Sequence, residues 1–102
     1  MRPYRNLKIA SLIERELSQL LLKNLDLEGA IITIIGVEVS EDLLQAKVKV
    51  GILPESKTGE VFALLTNRRG ELQHKLLRKM NIKPMPQIKF VMATPDLAKR
   101  ED

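Results

Sequence analysis

The residues best suited by type and spacing to act on an anion lie in 66-TNRRGELQHKLLRKMNIK-83. Arg68, Arg69, Lys75, Arg78, Lys79 and Lys83 stand there against a single acid, Glu71. Leu72, Leu76, Leu77 and Met80 recur at helical steps in the same stretch, so one face is apolar and another basic. A helix run straight through Gly70 places Arg68, Lys75, Arg78 and Lys79 in one arc, with Leu72, Leu76 and Met80 opposite. Such a rail of fixed charge suits the phosphates of a nucleic acid. Gly70 costs a helix interior about 1 kcal/mol relative to Ala. It is expected to permit a bend, to let a partner's backbone approach, and to expose the N–H groups of the next helix to an anion. The plainer reading stays open: Gly70 ends one helix and the arginines are simply solvated.

Covalent and acid–base chemistry find little material. His74 is the only histidine and lies within the basic stretch. Glu14 and Glu16 are two residues apart and do not share a helix face. Neither Ser40 nor Asp42 has a catalytic partner that can be placed. With no cysteine and one histidine, no disulfide, thiolate site or paired-imidazole site is available. No enzyme activity, metal or cofactor is expected.

The net charge of +4 is unevenly spread. Residues 26–67 hold three bases and seven acids, whereas 68–89 hold seven bases and one acid. Separation by sign marks a polyanion-binding face. Tyr4, Phe62 and Phe90 are the only aromatics, too few for the stacked platform that holds bare single strands. No apolar run reaches the ~20 residues of a membrane span, and the start lacks a secretory pattern. A cytoplasmic protein is expected, or one of an organellar stroma or matrix after removal of a targeting segment.

The positioning elements follow from periodicity. Residues 5–23 read as a helix with Ile9, Ala10, Ile13, Leu17, Leu20 and Leu21 on one stripe. The β-branched run 30-AIITIIGVEVS-40 and the alternating 44-LQAKVKVGI-52 read as strands, with Leu44, Ala46, Val48, Val50 and Ile52 on the inner face. The turn 40-SEDL-43 joins them as an antiparallel hairpin, and Gly36 marks a bulge or bend. Ser40 and Asp42 are expected to bond local N–H groups and fix that turn, with Leu43 or Leu44 returning to the core. Helices follow over 60–68, capped by Ser56 or Thr58, and over 71–80. A last strand, 85-MPQIKFVM-92, follows Pro84 and joins by a crossover. One α+β domain over 1–102 is expected, with an ordered core of about 5–92, a flexible tail over 93–102, and three strands covered on one face by helices.

That order, with a glycine-bearing break between paired helices, resembles a type II KH domain, α-β-β-α-kink-α-β. The GxxG loop with which KH domains clamp a short single strand is absent. The chain further resembles the ribosome-binding factor A family over roughly 5–90. The segment 5-RNLKIASLIEREL-17 is similar to the family's first helix. The segment 39-VSEDLLQA-46 matches its V-S-x-D-L-x-x-A, and 83-KPMPQIKF-90 resembles its R-x-x-P-x-L-x-F. Arg68 stands in place of the kink alanine of the family's Ala-x-Gly, Gln73 in place of a frequent arginine, and Ala93 in place of an aspartate.

The resemblance implies a monomeric, non-enzymatic assembly factor without cofactor. Its implied partner is the rRNA of the small ribosomal subunit, and its implied roles are late maturation, rRNA processing and growth in the cold. The expected RNA contacts are Arg68, Arg69, Lys75, Arg78 and Lys79 around Gly70, then Arg5, Lys8, Lys83 and Lys89. Two other readings compete. One is a generic KH-like module for single-stranded RNA or DNA; the other is a protein-binding adaptor using the acidic middle, 26–60.

Overall fold

The computed structural model describes residues 4–24, 27 and 29–93. Helix α1 spans Tyr4–Asn24, strand β1 Ile31–Val39 and strand β2 Gln45–Leu53. A single 3-10 turn, Glu55–Lys57, leads into α2, Thr58–Asn67, followed by α3, Arg69–Met80, and β3, Gln87–Met92. The expected tail lies, beyond Ala93, outside the described residues.

The six apolar residues of the α1 stripe are all buried. They meet Ala46, Val48 and Val50 of β2, Ile88 and Phe90 of β3, and Leu65, Leu72 and Leu76 of the later helices in one cluster. Full burial of an aliphatic side chain contributes roughly 1.5–3 kcal/mol. This cluster therefore holds the helices to one face of the sheet. The sheet order is β1-β2-β3: β1 runs antiparallel to β2, and β3 runs parallel to β2 after the crossover through α2 and α3.

A bulge at Ile35 resolves a conflict in β1. Ile34 pairs with Val50 and Gly36 with Lys49, which leaves Ile35 as the extra residue. Strict alternation would turn Gly36 and Glu38 inward. The bulge instead keeps Ile32 and Ile34 on the core side before it, and Val37 and Val39 after it.

The hairpin turn brings back Leu43, not Leu44. Leu43 takes a left-handed φ of +65° and packs on the core, whereas Leu44 is 54% exposed. Ser40 Oγ donates to Asp42 Oδ1 at 2.6 Å, and the N–H groups of Leu44 and Gln45 donate to Asp42 Oδ1 and Ser40 Oγ at 3.1 Å each. The Ser40 hydroxyl first, then the Leu44 N–H, hold the Asp42 carboxyl below its ordinary range.

Two local expectations are corrected. Neither Ser56 nor Thr58 caps α2: Lys57 precedes the helix without a side-chain cap, because the 3-10 turn runs directly into it. The helix break falls at Arg68 rather than Gly70, with Arg68 at φ −95°, ψ 5°. This backbone region is open to any L-residue, so no glycine is needed. The ladder even continues across it, since Arg68 N–H donates to Leu64 O and Leu72 N–H to Arg68 O. Gly70 is the second residue of α3, and a Cβ there would meet nothing within 4 Å.

Candidate nucleic-acid interface

Leu72 and Leu76 anchor α3 in the core and thereby fix which residues face outward. Positions 68, 71, 75 and 78 follow each other at three- and four-residue steps and form one arc. Within it Glu71 bridges two cations: Arg68 Nη1 lies 3.6 Å from one carboxylate oxygen and Lys75 Nζ 3.3 Å from the other. Arg78, one turn on, is exposed and has no ion pair among the described residues. Exposed ion pairs of this kind contribute about 0–1 kcal/mol. A phosphate can therefore displace Glu71 from Arg68 and Lys75 at little cost. Gly70 belongs to a different flank, shared by helical spacing with His74 and Leu77.

Lys79 is turned aside. Its ammonium stands 3.0 Å from Glu16 Oε1 and ties α3 to α1. The contact sets opposite charges against each other across the seam between the two helices. The contact with Lys79 is the main influence holding the Glu16 carboxyl below its ordinary range; Arg15 adds to it, and partial desolvation opposes it.

Arg69 leaves the arc as well. One residue on from Arg68, it points about 100° away and extends Nη1 to Ile88 O at 3.5 Å. Gln73 completes this contact with β3. Its Nε2 donates to Pro86 O at 2.9 Å, and its Oε1 accepts the Ile88 N–H at 2.7 Å. In the sequence Gln73 stands out only as a departure from an arginine. Its role needed the topology, because the partners lie 13 and 15 residues away. Arg69 also lines a groove of about 540 Å³ beside β3, with Phe62, Thr66, Gln87 and Lys89. A second groove, about 580 Å³, lies between α1 and β1 but is lined by apolar and small residues without a charged group, and so offers a polyanion nothing.

The remaining basic candidates are dispersed. Arg5 and Lys8 are exposed on the first turns of α1 and share a face by spacing. Lys83 is exposed in the connection from α3 to β3. Lys89 lies on the side of the sheet away from the helices, since its neighbours Ile88 and Phe90 point into the core. Among the described residues no group of three or more His, Cys, Asp or Glu side chains is placed to hold a metal, and no helix is long and apolar enough to cross a membrane.

Known proteins with this pattern point one way. The family model for ribosome-binding factor A matches residues 5–97. Ribosome-binding factor A of Bordetella petrii is 36% identical over 90 residues, covering 87% of this chain and 65% of that protein. The protein of the same name from Akkermansia muciniphila is 30% identical over 83 residues, covering 81% and 66%. The chain thus spans about two thirds of the length of these curated relatives. The crystal structure of ribosome-binding factor A from Thermus thermophilus superposes with a TM-score of 0.71 at 20% identity, covering 87% of this chain and 97% of that one. A Thermus thermophilus model fitted into the cryo-EM map of a complex between the 30S subunit and ribosome-binding factor A gives 0.68 at 19% identity, covering 80% and 88%. At such identities the superpositions show a shared fold, the KH-like one. With nearly the whole described chain matched, this protein belongs to the ribosome-binding factor A family.

Proposed function

We propose that this protein binds the small ribosomal subunit through its rRNA and acts there as an assembly factor in late maturation. Its contribution to rRNA processing and to growth in the cold is part of the same proposal. The observation that carries it is the arc of Arg68, Lys75 and Arg78 on a helix anchored by Leu72 and Leu76. The Thermus relative that shares the fold is placed in a 30S complex, which supports the same partner.

The mechanism is electrostatic and steric. A pre-set row of cations on a rigid helix holds phosphates by position rather than by reading bases. The anchored helix sets the spacing of the three cations before the RNA arrives, which lowers the ordering cost of binding. The bound factor then occupies space that a rearranging RNA helix needs until it matures. No bond is made or broken, and the work is done in the cytoplasm by the single chain.

A generic single-strand module is disfavoured by the edge of β3. The main-chain groups of Ile88 are already engaged by Gln73 and Arg69, and no GxxG loop is available to clamp a strand. Co-sedimentation with purified mature and immature small subunits across a salt series tests the proposal. Salt-sensitive binding is expected. Absence of binding at low salt by folded protein would refute it.

A further inference from the structure

The side of the sheet away from the helices carries charge that the α3 arc does not explain. Lys47 on β2 and Lys89 on β3 are register partners, and the next pair along is Gln45 with Gln87. All four are exposed. Neighbouring strands lie about 4.8 Å apart, so the two lysines stand side by side. Like charges directly opposite one another weaken a sheet.

The local acid relieves them only in part. Glu38 is the register partner of Lys47, but its carboxylate closes on Lys49 Nζ at 2.9 Å. This part of the sheet therefore holds three ammonium groups against one carboxylate.

We infer that the open sheet face is a second phosphate-binding surface, centred on Lys47 and Lys89 with Gln45 and Gln87 beside them. It takes the sugar–phosphate backbone of an RNA segment other than the one held by α3. The inference rests on the rRNA reading above.

Around Lys47 and Lys89 the chemistry selects backbone over bases, because the outward positions there offer ammonium and carboxamide donors. Ile31, Ile35 and Leu53 make the other end of the face apolar, and Phe62 lies only at the groove along the edge of β3. Successive donors on one strand side are two residues, roughly 6.7 Å, apart, so the row meets a repeating anion rather than a single one. A phosphate seated between Lys47 and Lys89 converts their repulsion into attraction. The pair then costs the free protein and favours the bound one. The α3 arc lies in the helix layer on the other side of a molecule whose shortest extent is 18 Å. The protein thus acts as a spacer between two RNA segments.

The test uses the whole chain and a short RNA hairpin in two forms, one immobilised on beads and one fluorescent in solution. Wild type should retain the fluorescent hairpin on the beads. K47Q/K89Q should itself remain on the beads but lose the fluorescent hairpin. On small subunits, the slope of log K against log salt should become shallower by about 1.4–1.8 in this variant, at roughly 0.7–0.9 per phosphate contact. A control, K23Q/K57Q, removes the same charge elsewhere and should keep the wild-type slope. Thermal melting without RNA should show K47Q/K89Q at or above wild type, which separates lost contacts from lost folding.

Bridging by K47Q/K89Q equal to wild type would overturn the inference, as would an equal slope change in the control. So would preferential binding of a polyglutamate probe, which would assign the face to an acidic protein. Wild type that fails to reach beads or subunits at all would instead count against the rRNA reading itself.

Discussion

The Gln73 carboxamide accepts the Ile88 N–H at 2.7 Å and so pins α3 to the edge of β3. Its Nε2 completes the clasp on Pro86 O. One amide supplies both a donor and an acceptor, which fits the main-chain groups of an edge strand that have no neighbouring strand to pair with. Replacing Gln73 by Ala leaves the half-buried Ile88 N–H without its acceptor. A loss of about 1–2 kcal/mol is expected. Gln73→Glu keeps the acceptor, loses the donor and should lie between the two. Urea unfolding of the three proteins checks the order.

Glu71 is the one acid in the arc and pairs with Arg68 and Lys75; under the proposed function it competes with phosphate for them. Glu71→Gln should change stability by less than roughly 1 kcal/mol, because both ion pairs are exposed. It should at the same time tighten binding to small subunits several-fold at low salt. A binding curve at two salt concentrations checks this: the gain should shrink as salt rises.

Gly70→Ala should stabilise the protein by about 0.5–1 kcal/mol, since the site is helical and a Cβ meets nothing. Because residue 70 lies off the arc, subunit binding should persist. Lost binding with raised stability would show instead that RNA backbone approaches at Gly70.

The Lys79–Glu16 contact predicts an acid sensitivity of definite sign. The folded-state pKa of Glu16 is depressed below the ordinary 4.5. The stabilisation is therefore complete above the unfolded value and is lost as pH falls through the folded one. Glu16→Gln should be less stable than wild type near neutrality and should lose less stability between about pH 5 and pH 3. Chemical unfolding at several pH values checks it. Wild type and variant curves that stay parallel would contradict the tie.

Much of the fold is written in periodicity. The α1 stripe and the β2 alternation over Ala46–Ile52 lie inward as their spacing requires, and Gly36 adjoins the bulge in β1. Local patterns did not reveal what depends on distant neighbours. A glycine draws attention to itself, yet the bend sits at Arg68, where α2 must reach the sheet and α3 must also pack on α1. Leu43 rather than Leu44 turns inward because the Ser40–Asp42 bonds force a left-handed residue there. Of the basic residues expected to act together, Arg68, Lys75 and Arg78 do share an arc. Arg69 and Lys79 are drawn off by Ile88 and Glu16, partners 19 and 63 residues away. The Lys47–Lys89 pair becomes visible only once the parallel register is known.

The central claim is that Arg68, Lys75 and Arg78 hold rRNA phosphates on the small subunit. The most direct test is the salt dependence of subunit binding for wild type and for R68Q/K75Q/R78Q, a variant that spares Arg69 and Lys79 and so leaves the ties to β3 and α1 intact. The expected result is a folded variant whose slope of log K against log salt is shallower by about 2–3, with weaker binding at every salt concentration. A folded variant with wild-type slope and affinity would contradict it.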